Sequence, residues 1–302
     1  MIVSSLLFIY IDNFYTLFLL RIFQGLSFSI FFNSSSALAS DNLDDNNRKK
    51  GLSIFYSSTI FPYFIGPYFG EIILINLGYF YFFIFSSLFS LIAILILFNV
   101  DSKNINTNNE IEVRLKDFFH IINNPDSKKF LITNFLSSTG FGIIMNFIAI
   151  FLKDKSLKAG LFFATYSVIV TIVRLFLSDL ISTNKLFIKV LIMLAFFSIS
   201  IFFLPFTENI THVIIFAVIF SSTYALIYPF ISSLLVQPGN ENSSGRLFGA
   251  LNATFGIGVH LMTFVFGYVI QYFGYARGFQ TCSLFILIFT MIILIKEVRS
   301  DA

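Results

Sequence analysis

Tyr79-Phe-Tyr-Phe-Phe-Ile-Phe-Ser-Ser-Leu-Phe-Ser-Leu-Ile-Ala-Ile-Leu-Ile-Leu-Phe-Asn99 runs for 21 residues without a charged side chain. As a helix rising about 1.5 Å per residue it reaches about 30 Å, the thickness of a bilayer's hydrocarbon core. In lipid every backbone N–H and C=O must be satisfied inside the segment, which a helix achieves. The stretch therefore predicts a transmembrane helix.

Outward from it, apolar runs cut by charge, Asn, Gly or Pro predict full spans at 14–39, 51–76, 129–152, 159–181, 186–206, 210–236, 247–272 and 277–296. Residues 1–11 are apolar but cover only about half a bilayer; without a basic start or a small-residue cleavage site they do not read as a secretory signal. The 302-residue chain is 57% hydrophobic and 12% charged, with 44 Phe, which excludes a soluble domain. The expected fold class is all-α, a polytopic helical bundle whose first partner is the lipid bilayer. A net charge of +3 is too small to argue for nucleic acid, and Cys282 alone excludes a disulfide framework and a cysteine metal site. No cofactor is implied. Fourteen Lys and Arg fall on one side of the predicted spans and four on the other, with Arg21 inside a span. Positive charge collects on the cytoplasmic side, so the C-terminus is expected there, in a multi-pass protein of a cell membrane. Lys153, Lys155 and Lys158 stand on the wrong side of this rule. The abundance of Phe, Ile, Asn and Lys fits an AT-rich bacterial source.

Residues 101–128 divide the chain. Asp101 to Glu110 is too polar to pack, whereas Ile111, Leu115, Phe118, Phe119 and Ile122 fall on one helical face, predicting a short amphipathic helix on the inner membrane surface with His120 at its edge. The expected organisation is 1–100 as an N-terminal lobe, 101–128 as a cytoplasmic linker and 129–302 as a six-helix C-terminal lobe. An internal repeat links the lobes: Arg48-Lys-Lys-Gly51 and Arg246-Leu-Phe-Gly249 are 198 residues apart, and Leu77-Gly-Tyr79 recurs as Phe273-Gly-Tyr275 at 196. Same-orientation repeats imply two lobes related by an axis along the membrane normal. On that logic the first lobe lacks roughly two and a half helices, about 70 to 80 residues preceding Met1.

Two motifs carry a family resemblance. Leu20-Arg21-Ile-Phe-Gln24-Gly25 resembles the fourth-helix Arg-x-x-Gln-Gly signature of the major facilitator superfamily, and Ile65-Gly66-Pro67-Tyr-Phe-Gly70 resembles the fifth-helix Gly-Pro-x-x-Gly signature associated with its exporters and antiporters. Glu71 stands where a second glycine is usual. Arg174-Leu-Phe-Leu-Ser178-Asp179 matches the family's second-lobe gating loop in its Arg-Leu alone. The resemblance implies a twelve-helix, two-lobe transporter beginning midway through its third helix, with the fourth, seventh and tenth helices lining the cavity. It implies a small-molecule substrate moved at the expense of a proton gradient, and no enzyme activity. A single copy is the expected working unit.

The residues add their own chemistry. Arg21 lies about 10 Å into its span, where a charge is costly unless paired or facing water; it is read either as a cavity residue, with Gln24 beside it, or as a structural arginine bonded to carbonyls. Pro62, Gly66 and Gly70 recur every fourth residue, a small-residue stripe that lets a helix approach closely, while Pro62 and Pro67 permit a bend. Glu71 is the proton candidate, or else reaches the outer headgroups. His260, with Asn252 and Gly256 on its face, marks either a substrate path or an internal hydrogen bond. Tyr224, Tyr228, Asn134 and Asn146 are further cavity candidates; Gly25, Arg48, Arg174, Asp179, Arg246 and Gly249 are candidates for packing or gating. Three functional readings follow: an exporter of a drug-like compound or secreted metabolite such as a metallophore, an uptake carrier for a sugar or organic anion, and a non-functional transporter fragment.

Overall fold

Prolines decide where these helices begin. In the computed structural model, which describes residues 2–11, 13–43, 45–98, 124–236 and 244–300, Pro62, Pro125, Pro205 and Pro229 each fall in the first turn of a helix. There the missing N–H is not needed and the fixed φ is already helical. The described residues form α1 (Ile2–Leu7), α2 (Phe14–Asp41), α3 (Asp45–Ser58), α4 (Phe61–Leu97), α5 (Pro125–Asp154), α6 (Ala159–Ile172), α7 (Leu186–Phe203), α8 (Ile210–Tyr224), α9 (Ile227–Leu235), α10 (Ser244–Gly256) and α11 (Met262–Ser300). They include no strand. Wider π turns follow α6 at Val173–Leu177 and α10 at Ile257–Leu261.

Seven helical segments among the described residues are long and apolar enough to cross a membrane. Nine full spans were expected, and the difference has two physical causes. The 51–76 run is two helices, because Thr59 and Ile60 turn tightly onto the carbonyls of Tyr56 and Ser57 just before Pro62. The 247–272 and 277–296 runs form one continuous stretch, Gly245–Arg299, reversed only at Gly274. The 210–236 run is also broken, at Ala225 and Leu226, ahead of Pro229. The predicted amphipathic helix at 111–122, His120 included, lies outside the described residues.

The internal repeat is geometric as well as textual. Gly78 has φ 81° and ψ 179°, and Gly274 has φ 83° and ψ 167°. This region belongs almost wholly to glycine, because a Cβ would collide with the backbone. Each glycine reverses a helix just ahead of its tyrosine, which is why Gly-Tyr recurs. Gly78→Ala or Gly274→Ala is expected to cost about 1 to 3 kcal/mol each, read by chemical unfolding in micelles.

The chain divides into two units, residues 1–35 with 65–117 and residues 36–64 with 118–302. In the first, Phe8 stacks on Phe83 with centroids 5.4 Å apart, and most apolar side chains of α2 and α4 are exposed, as suits a surface in contact with lipid. In the second, α5, α7, α8 and α11 form the core. Ser198 and Ser283 each donate to the other's carbonyl at 2.7 Å, tying α7 to α11. Phe162, Phe220, Phe197, Tyr224 and Phe141 stack in a continuous series between α5, α6, α7 and α8. Lys155 donates to the carbonyls of Pro205 and Thr207 at 2.6 and 2.7 Å and sits over the Phe151 ring. One of the three misplaced lysines thus caps a chain reversal and need not report topology.

Candidate functional site

One arginine collects a backbone carbonyl from each proline break. Pro229 has no N–H for Ala225 C=O, four residues earlier. At the other break, Ile60 bonds to Ser57 C=O, and Tyr56 C=O takes Thr59 N–H at 3.3 Å and the Thr59 hydroxyl at 2.7 Å in place of its helical donor. Arg174, in the π turn after α6 and 3% exposed, donates from Nε to Ala225 C=O at 2.8 Å and from Nη1 to Tyr56 C=O at 2.6 Å. The rigid guanidinium fork suits two separate acceptors, and the π turn is a widened backbone of the kind that recurs at functional sites. The Tyr56 ring meets that of Tyr228 edge-on at 4.8 Å, and Tyr228 Oη donates to Asn252 Oδ1 at 2.5 Å. At the N-terminal end of α3, Arg48 donates to Val236 C=O at 3.0 Å, Lys49 to Ile181 C=O, and Lys50 pairs with Asp179 at 2.5 Å. Burial holds the Lys49 ammonium below the ordinary lysine range, with the Asp179 carboxylate opposing the shift. Three consecutive basic residues therefore join α3 to the ends of α9 and α6. The Lys50–Asp179 pair is about half exposed on both sides. Lys50→Ala is expected to change unfolding free energy by less than about 1 kcal/mol, an effect that disappears in about 1 M salt.

A second constellation lies between α5 and the segment from the second π turn into α11. Glycines bring these helices together: a Cβ on Gly142 would meet the Val259 backbone at 2.7 Å, and one on Gly258 would meet Phe135 C=O at 2.7 Å and the Ser138 hydroxyl. Outward from this seam a cleft of about 470 Å³ opens, with Asn146 on one wall and His260, Thr263 and Gln271 on the other. Asn146 and His260, singled out separately in the sequence, thus share one cleft.

A family model described as Major Facilitator Superfamily matches residues 1–262. The chain belongs to the major facilitator superfamily. It is a multi-pass membrane transporter, and a lipid bilayer and a small-molecule substrate are its partners. Its fold resembles the human organic anion transporter MFSD10 (TETRAN), with TM-score 0.80 and 15% identity over 97% of this chain and 74% of that one. No curated protein matches it.

The remaining candidates of this major facilitator chain are dispersed. Arg21 stacks over Phe8 at 4.6 Å and donates to Gln24 Oε1 at 2.9 Å within the first unit. Asn134 donates to Leu251 C=O at 2.7 Å and Thr254 Oγ1 at 3.0 Å, stitching α5 to α10. Tyr224 is 3% exposed inside the aromatic series, a packing position. A Cβ at Gly25, Gly66 or Gly249 would meet no atom within 4 Å among the described residues, and one at Gly70 would touch only Phe82. Pro62 opens α4 and Pro67 lies within it; the side chains of Pro67 and Glu71 lie outside the described residues. Arg246 stands in the first turn of α10. Tyr56, Thr263, Tyr268 and Gln271 were not foreseen. A readable sign existed for the last three: Thr263, Phe264, Gly267, Tyr268 and Gln271 follow His260 at helical three- and four-residue steps.

Proposed function

We propose that the chain, acting as a single copy, exports a small organic molecule such as a drug-like compound or metallophore in exchange for protons. The supporting observation for its cycle is the Arg174 junction. On the lobe limits read from the repeat, 1–100 and 129–302, α3 is first-lobe and Arg174 second-lobe, so two hydrogen bonds to main-chain carbonyls hold an inner latch that alternating access must break. Both acceptors are neutral carbonyls, so the latch can part without separating an ion pair in the membrane. Outward direction is supported by the resemblance of Gly66-Pro67-x-x-Gly70 to the exporter signature, and Glu71 is the proposed proton carrier. Arg21 favours a second reading: among the described residues it pairs with no carboxylate, so it is suited to bind an anionic substrate, in keeping with the organic anion transporter of similar fold.

Proteoliposomes with an imposed pH gradient test both readings, using matched cationic, neutral and anionic fluorescent substrates. Proton-driven export that survives Arg21→Gln supports the first reading. Anion movement that Arg21→Gln lowers at least about tenfold supports the second, since a charge-assisted pair contributes about that much or more. No gradient-dependent movement of any substrate would sink both.

A further inference from the structure

The geometry points to the cleft between α5 and α11 as a binding site for an uncharged aromatic molecule carrying an amide-like donor and acceptor. The inference deepens the transporter reading, on which it rests only for the bound molecule being the cargo. The cleft's volume, about 470 Å³, falls in the range of small-molecule sites. Its polar groups are Asn146, His260, Thr263, Tyr268 and Gln271, and among the described residues no Lys, Arg, Asp or Glu lines it. An ion entering from water would lose hydration with no counter-charge to receive it, so neutral ligands are selected. The hydrogen-bonding capacity is nonetheless large. Asn146 gives one amide N–H to Gly142 C=O at 2.8 Å, which leaves its carbonyl oxygen and its second N–H to offer. Gln271 adds donors and an acceptor, and the His260 ring adds two polar nitrogens.

A further observation points to the occupant's shape. The walls are built for a flat ring: Phe147 stands on α5, and on α11 Phe264 meets Tyr268 edge-on at 5.0 Å. Gly267 keeps the floor open, since a Cβ there would already touch Phe147 at 3.5 Å. An aromatic ligand with an amide edge satisfies both halves of the lining together.

The chain has no tryptophan, so Phe264→Trp installs a single reporter in the wall of the cleft, with Tyr268→Trp as the replacement if that variant unfolds. The full chain in nanodiscs would be titrated with 4-nitrobenzamide, 4-nitrobenzoate and 4-nitrobenzylammonium, which share a quenching ring and differ in charge. Saturable quenching by the amide, at about one tenth or less of the concentration needed for either ion, is expected; Asn146→Leu and Gln271→Leu should each weaken it several-fold to about tenfold. Equal, unsaturable quenching by all three would mean collision through lipid and overturn the site. Preference for the benzoate would overturn the ligand class, and the absence of quenching by all three would overturn the site. Transport of a neutral aromatic cargo that ignores Asn146→Leu and Gln271→Leu would refute the inference while leaving the transporter reading intact. Saturable amide binding without transport would do the reverse.

Discussion

Arg174→Ala is expected to lower unfolding free energy by about 3 kcal/mol and to abolish gradient-driven transport. The estimate counts two buried hydrogen bonds from a charged donor, discounted because hydrogen bonds between membrane helices are worth less than their burial suggests. Arg174→Lys should recover at most half the loss, since one ammonium cannot hold the separated carbonyls of Tyr56 and Ala225 as the fork does. The decisive arm is Pro229→Ala. It returns an N–H facing Ala225 C=O across the break, so in the Arg174→Ala background it should restore about 1 kcal/mol. Denaturant titration in micelles, run as a double-mutant cycle, reads the coupling. Strict additivity would mean that the freed carbonyl is not what Arg174 serves.

How much of this was legible beforehand depends on whether the deciding contact is local. Apolar length is local, and it locates the apolar segments, but not the break at Thr59–Ile60 or the join through Gly274. The Gly-Tyr repeat is local, and both glycines prove to hold the same rare backbone conformation. Pro62 and Pro67 read as bends in the sequence, yet Pro62, like Pro229, stands beside a full break while Pro67 lies inside α4. The residue type alone does not separate these cases, because tolerance depends on whether the missing N–H falls in a first turn. Arg174 was marked as a degraded gating motif; its two acceptors are main-chain atoms 118 and 51 residues away, which leave no trace in side-chain identity. Tyr224 was read as a cavity residue and sits in an aromatic core, as a ring in so Phe-rich a chain readily does. Asn146 and His260 were both selected for polarity at mid-span, but their meeting required knowing which faces of α5 and α11 adjoin.

The small-residue stripe is the clearest case of a nonlocal decision, and it leads to the second large effect. Gly66-x-x-x-Gly70 has the spacing for close helix approach, yet a Cβ at Gly66 has open space. Gly142 and Gly258, unremarkable in the sequence, stand at the tight seam. Gly142→Ala and Gly258→Ala are each expected to cost about 2 to 3 kcal/mol, because the atoms in the way include backbone of the facing helix, which cannot rotate aside as a side chain can. Both substitutions strain the same seam, so the double variant should cost less than the sum; once α5 and the π turn have parted to admit one methyl, the second meets less resistance. Gly66→Ala and Gly249→Ala are the controls, expected within about 0.5 kcal/mol of the parent. The same wedge should act on the cleft. Asn146 is one helical turn beyond Gly142, and His260 two residues beyond Gly258, so parting the seam moves opposite walls of one site. Variants at Gly142 and Gly258 that still fold should therefore lose 4-nitrobenzamide binding while the two control variants keep it. A Gly142→Ala protein as stable as its parent, with binding unchanged, would show that the seam yields freely and that glycine there is incidental.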